Sequence, residues 1–405
     1  MLIRDNYHLE KCFVMEGDPD MEFCTYVNRK YTDKDVEIAK KHLLMLIDTF
    51  EKDDPLPSWI IAVKNILCNA NRSSFASRYG LNGDISFADS EIINAYQKGK
   101  DALAYLKYRY DFKYYPVNHV LREFPLVVAV EASSKCNLRC KMCFQKNMDN
   151  HDSLQNRGIM DYKTYEKFLA ELDANMLYSI VFASRGEPLL NPYIAKMIKA
   201  AKDKGVLDIK LNTNAVLLTP DISRALLESG LDMIVFSVDS VNEEHYRSIR
   251  GAELRTVINN ITSFLEIKKK EFPNSRMIVR VAMVVTEGYL NEADKEIQDA
   301  KDLWLGIVDE LSVKSENDFS SVYKKDTVVA SPQICDLLWE RLYLWHDGTL
   351  NPCDIDHLST LSLGNINSGT SISEIWKGNK MERLRKNHLC NRDGMIEVCA
   401  RCTGY

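Results

Sequence analysis

The chain has 405 residues, 45% apolar and 27% charged, enough for two or three packed domains and incompatible with wholesale disorder. Fifty-eight acidic side chains against fifty-two Lys plus Arg give a net charge of -6, which argues against a nucleic-acid or anionic-membrane surface as its main business. No uncharged apolar run is long enough for a membrane span, and the first twenty residues carry charges every few positions. A cytoplasmic protein is expected.

The first ~115 residues read as helices, with apolar residues at helical spacing over 36–50, 59–67 and 91–108. Asp53-Asp54-Pro55 and Gly80-Leu81-Asn82-Gly83 punctuate them as turns. From Pro125 the texture changes. Apolar, β-branched runs at 126–130, 179–183, 209–211, 233–238 and 277–285, with a weaker one at 307–313, alternate with helical patterns at 161–175, 192–204, 220–229, 258–270 and 291–303. Strands separated by helices of this length call for right-handed β/α units and a parallel sheet. Six units fall short of the eight of a closed barrel, so a partial (β/α)6 TIM-like barrel is expected, with ligands at the C-terminal strand ends. The last ~90 residues switch again, to a hairpin over 342–350 with an Asp-Gly turn and a helix over 371–386 opened by Ser371-Ile-Ser-Glu374. The expected domains are therefore 1–115, helical; 116–315, the α/β barrel; and 316–405, small and cysteine-rich.

Eleven cysteines are many for such a chain, and an odd number suits no closed disulfide framework. In a reducing compartment they point to metal ligands or catalytic groups. Cys12, Cys24 and Cys68 are scattered. Cys136, Cys140 and Cys143 lie within eight residues, on a loop after the first barrel strand. A gap of 191 residues then precedes Cys335, Cys353, Cys390, Cys399 and Cys402, so two separate metal sites are expected. Three thiolates leave one coordination position open. A structural zinc site closes with four ligands, and His151, after a charged linker, is a poor fourth. An iron–sulfur cube with one iron open to a ligand fits better.

Cys-x3-Cys-x2-Cys after the first strand of a β/α series resembles the signature of the radical S-adenosylmethionine (radical SAM) superfamily. Further motifs follow in order. Arg185-Gly186-Glu187-Pro188 resembles its GGEP motif, with Arg185 for the first glycine. Thr213-Asn214-Ala215 resembles its TNG motif, with alanine for glycine. Ser237-Val-Asp239-Ser240 precedes Tyr246-Arg247-Ser-Ile-Arg250-Gly251. The resemblance implies a [4Fe-4S] cluster on Cys136, Cys140 and Cys143, its open iron taking the amino and carboxylate groups of S-adenosylmethionine. It implies that Glu187 and the backbone of its turn hold the ammonium. Thr213 or Asn214 would meet the ribose, Ser237 and Arg250 the carboxylate, and Met142 and Phe144 would flank the adenine. Arg185 would point outward or bind substrate.

Cys335-x12-Gly348-x4-Cys353 followed by Cys399-x2-Cys402 resembles the auxiliary-cluster domain called SPASM or, in its shorter form, twitch. The full domain has seven cysteines and two clusters. Five cysteines here imply one auxiliary [4Fe-4S] cluster on Cys335, Cys353, Cys399 and Cys402, with zinc in the same thiolates as the alternative. Cys390 is left as a core thiol, an alternative ligand, or a catalytic hydrogen donor near the substrate. The resemblance implies a 5′-deoxyadenosyl radical that abstracts hydrogen from a carbohydrate-like or aminocyclitol small molecule, giving dehydrogenation or epimerisation. It also implies an electron donor such as flavodoxin or ferredoxin. Peptide maturation is the alternative. Peptide-modifying relatives often open with a β-hairpin and a leader-binding winged helix, whereas this N-terminus reads as helical. A non-catalytic metal-binding interaction module is the remote rival.

Overall fold

The computed structural model describes residues 13–14, 22–27, 31–50, 57–68, 89–145, 157–172, 177–286, 293–316, 321–323, 334–390 and 396–402. Cys12, His151 and the turn at 80–83 lie outside them. They divide into two units, Arg29–Arg122 and the remainder.

The larger unit is organised by one eleven-stranded sheet. Its N-terminal strands, β1 (Phe13–Val14) and β2 (Glu22–Val27), form an antiparallel pair. Six parallel strands follow, hydrogen-bonded in chain order: β3 (Val127–Val130), β4 (Ser179–Phe182), β5 (Asp208–Thr213), β6 (Met233–Ser237), β7 (Ile278–Val285) and β8 (Glu310–Ser315). This is the α/β fold with a mostly parallel sheet that the sequence implied. A parallel sheet is covered on both faces, which is why β3 reads Val-Val-Ala-Val and is buried at every position. The helices between strands carry their own start signals. Asp161 caps the helix Tyr162–Ala170, and Thr219 caps Pro220–Glu228, with proline at its first turn. The helix Ile194–Asp203 buries Ile194, Met197, Ile198 and Ala201, one stripe at helical spacing. Fully buried Phe182, Phe236, Phe264 and Trp304 anchor the core, each worth roughly 1.5–3 kcal/mol of burial.

The sheet extends past both ends of the barrel. β2 runs antiparallel to β8, with Cys24 opposite Val313. At the other edge β9 (Arg341–Leu344) lies parallel to β3, with Val127 opposite Arg341, and β10 (Thr349–Asn351) and β11 (Gly364–Asn365) follow antiparallel. The expected hairpin is therefore a continuation of the barrel sheet, and it brings the loops after β9 and β10 beside the loop after β3. Gly348 turns the hairpin at φ 87°, and a side chain there would meet Asn367 and Asn365 at 2.6 and 2.9 Å.

Phe13–Val14 and Glu22–Val27 are strands of the barrel sheet, a correction to the helical reading of 1–115 at these residues. The other unit, Arg29–Arg122, is helical: Asp33–Phe50, Ser58–Cys68, Asp89–Gln97 and Ala102–Val117. The pattern over 91–108 is two helices because Gly99, at φ 60°, breaks it. The helix expected over 371–386 also divides, into Ile372–Lys377 and Asn379–Cys390, at extended Gly378. Its Ser371/Glu374 capping box is present as the sequence suggested. Among the described residues, no helix is long and apolar enough to cross a membrane.

Candidate functional site

The loop carrying Cys136, Cys140 and Cys143 leaves the C-terminal end of β3. Its shape is set by backbone bonds: Cys143 N–H donates to the Cys140 carbonyl at 3.1 Å, and Lys141 N–H to Ile249 at 2.8 Å. Backbone amides of Leu138 and Gln145 each point at a thiol, those of Cys136 and Cys143, at 3.4 Å. Burial raises all three thiols, Cys143 to about 11, and their mutual proximity adds to the shift at Cys136 and Cys143. These half-buried thiols on one loop would bind a metal centre as thiolates, releasing their protons as it binds.

The turn after β4 is welded to this loop. Glu187 N–H donates to the Lys135 carbonyl at 2.9 Å, and a Cβ on Gly186 would stand 2.2 and 2.4 Å from the Ser133 and Lys135 carbonyl oxygens. Only glycine fits there. Gly186→Ala is expected to cost about 1–3 kcal/mol, measured as a lower urea midpoint; an unchanged midpoint would contradict this packing. Ser184, just before, sits at φ 104°, and Ala215 keeps the left-handed φ of 59° that explains the family's glycine.

Glu187 is buried, and burial raises its carboxyl above the ordinary carboxylate range. Its oxygens accept from Leu189 N–H (3.0 Å), Thr213 Oγ1 (2.7 Å) and Asn214 N–H (2.8 Å). The Glu187 and Thr213 side chains thus hold each other and shape the turns after β4 and β5, and both line the cavity. Asn214 Nδ2 donates to Asn137 Oδ1 at 2.9 Å, tying that turn to the cysteine loop. Arg250 Nε donates to Asp239 Oδ2 at 2.6 Å, and Asp239 Oδ1 accepts from Val284 N–H at 3.1 Å. The guanidinium lies beside Cys140 and opposes the rise of its thiol pKa.

These turns line an open cavity of about 260 Å³. Its lining includes Cys136, Cys140, Cys143, Met142, Phe144, Gln145, Ser184, Arg185, Glu187, Thr213, Asn214, Ser237 and Arg250. The structure thus brings together every residue that the sequence put at the first site. It adds Gln145, which no motif singled out. The Gln145 amide nitrogen donates to the carbonyls of Ser134 (2.9 Å) and Arg185, which fixes its orientation, and its Oε1 is buried without a protein partner. The Ser184 hydroxyl is likewise buried and unpartnered, as is the Tyr246 hydroxyl in the neighbourhood of Cys140. Buried polar atoms without partners are uncommon in folded proteins and mark where a ligand completes the site.

Four C-terminal cysteines form the second group. Cys335, Cys353 and Cys399 each sit near enough to others of the set, including Cys402, to have their thiols raised further, Cys335 to about 11 and Cys399 to about 12, with burial the main cause. Among the described residues, no three His, Cys, Asp or Glu side chains converge closely enough to hold one metal ion. A [4Fe-4S] cube takes one thiolate per iron, and thiols are the donors such a cluster uses. Cys390 ends the helix Asn379–Cys390, exposed, and is not among the cavity's lining residues. The hydrogen-donor reading of Cys390 therefore loses its geometric basis. Cys68 is exposed at the end of the helix Ser58–Cys68.

A partial barrel with a three-thiol loop after its first parallel strand adjoins a hairpin domain that carries a four-thiol group. Residues 130–299 match the radical SAM superfamily, and residues 335–403 match the SPASM iron–sulfur cluster-binding domain. The chain thus carries a radical SAM domain followed by a C-terminal SPASM domain. Its cofactors are S-adenosylmethionine, a SAM-binding [4Fe-4S] cluster and auxiliary iron–sulfur. Among curated proteins, it is 34% identical over 111 residues to a tungsten-containing aldehyde ferredoxin oxidoreductase cofactor-modifying protein of Pyrococcus furiosus, covering 27% of this chain and 30% of that one. It is 30% identical over 141 residues to a probable GTP 3′,8-cyclase of Methanocaldococcus jannaschii, covering 34% and 45%. The chain spans less than half the length of these relatives. Among solved structures, anSMEcpe with bound S-adenosylmethionine has a like fold, with TM-score 0.51 at 18% identity over 68% of this chain and 88% of that one.

Proposed function

We propose that this radical SAM enzyme abstracts a hydrogen atom from a carbohydrate-like or aminocyclitol small molecule and dehydrogenates it. When bound, the cluster and S-adenosylmethionine supply a reducing electron and a 5′-deoxyadenosyl radical. Cys136, Cys140 and Cys143 hold the cluster. Arg250, braced by Asp239, and Ser237 face the methionine carboxylate. Gln145 Oε1, the Ser184 hydroxyl and the backbone of the turn built on Glu187 accept from the ammonium. Asn214 lies toward the ribose, and Met142 and Phe144 wall the adenine.

Dehydrogenation would pass one hydrogen atom to the deoxyadenosyl radical, then one electron to an acceptor and one proton to a base in the cavity or to solvent. Cys335, Cys353, Cys399 and Cys402 would hold the electron acceptor. The observation that carries this reading over epimerisation is the position of Cys390, exposed at a helix end, where it could not return hydrogen to a substrate in the cavity. Cys390→Ser is accordingly expected to leave turnover within about twofold, read as 5′-deoxyadenosine and product formed per minute. In heavy water the product should be two mass units lighter than substrate. A product one mass unit heavier, with deuterium at the reacting carbon, would overturn dehydrogenation.

Peptide maturation is favoured by one observation, the β1–β2 hairpin ahead of the helices, where the sequence alone suggested only helices. A short precursor-peptide gene beside this one would support it, while adjacent aminotransferase and glycosyltransferase genes would support the sugar reading. A small flavin or iron–sulfur protein is the proposed electron donor.

A further inference from the structure

Arg185 stands where the family motif has glycine, and the site's cofactors give it no role. It is buried, and its guanidinium is held on three sides. Nε and Nη2 donate to Glu131 at 2.5 and 2.8 Å, Nη1 donates to the His357 carbonyl at 3.1 Å, and the cation lies 4.2 Å from the centre of the Trp345 ring. Glu131 also accepts from the His346 backbone N–H at 3.1 Å, and its Oε1 lies 2.9 Å from His346 Nδ1. Glu131 and Arg185 belong to the barrel; Trp345, His346 and His357 belong to the SPASM domain. A planar fork fixed on both sides transmits a displacement rather than absorbing it.

The residues it grips lead to the auxiliary site. His357 follows Cys353 by four positions. Its ring stacks on Phe144 of the SAM loop (centroids 4.7 Å, 19°) and meets Tyr323 edge-on at 5.0 Å. Tyr323 donates to Asp356 at 2.8 Å and accepts from Leu358 N–H at 3.0 Å. Asp356 in turn accepts from Thr360 and Leu361, closing the loop that carries Cys353. Tyr323 lies near Cys353, and Asp356 near Cys399.

We infer that Arg185 is a positioning residue that couples the two sites: filling the cavity with S-adenosylmethionine shifts the Cys353 loop through the guanidinium, and so changes the reduction potential of the auxiliary cluster. The inference rests on the cluster ligands proposed above. Hydrogen bonds and charges around cluster thiolates set such potentials, and coupling between two sites acts reciprocally, so reducing the auxiliary cluster alters SAM affinity in return.

The test is a reductive titration of the two-cluster holoenzyme, followed by electron paramagnetic resonance, with and without S-adenosylmethionine. In the wild type, the auxiliary midpoint is expected to shift when S-adenosylmethionine is added. Arg185→Lys keeps a cation for Glu131 but cannot also reach the His357 carbonyl, and is expected to lose at least half of that shift. No shift in the wild type, or an equal shift in R185K, overturns the coupling. If R185K fails to assemble, Arg185→Gln with Glu131→Gln removes both charges together and leaves neither buried alone; the same expectation and the same contrary result apply. Iron content and SAM binding are measured on the same samples. About four irons instead of eight, or no binding, would sink the ligand assignment itself, and the coupling with it.

Discussion

Cys140→Ala is expected to reduce 5′-deoxyadenosine formation to background and to lower the iron content from about eight to about four per chain. The loop should survive, because Lys141 N–H stays on Ile249, and Arg250 stays on Asp239. Cys335→Ala is the counterpart. It too should lose about four irons, yet still cleave S-adenosylmethionine under dithionite, because its loop lies on the hairpin domain. Equal loss of cleavage in both variants would contradict two separate clusters.

Glu187→Ala is expected to destabilise the fold by on the order of 3 kcal/mol and to weaken SAM binding by tenfold or more. Three buried donors, Leu189 N–H, Thr213 Oγ1 and Asn214 N–H, would lose their acceptor together. Two turns at the ends of β4 and β5 would then be free to separate. Urea unfolding and equilibrium dialysis measure the two effects. Weaker binding at unchanged stability would return Glu187 to the direct ammonium contact that the motif suggests.

The barrel was readable because buried parallel strands appear as unbroken apolar runs, as in Val127–Val130, and because the motifs fall at successive strand ends. The first cysteine loop was readable for the same reason, its spacing being local. Long-range relations were not. Glu131 and Arg185 are 54 residues apart, and Glu131 and His346 are 215 apart, so nothing in the sequence paired them. Gln145 looks like an ordinary polar residue until its two carbonyl partners turn Oε1 away from them. The motif residues Glu187 and Thr213 were legible as site residues, but spacing does not reveal that their side chains bond to each other. β2 was missed because its place is decided by the free edge of β8 rather than by its own pattern.

The most direct test of the central claim is anaerobic reconstitution followed by dithionite and S-adenosylmethionine without added substrate. The account predicts 5′-deoxyadenosine and methionine in equal amounts, from a protein carrying about eight irons. A fully loaded protein that forms no 5′-deoxyadenosine would contradict it, leaving a metal-binding module in place of an enzyme.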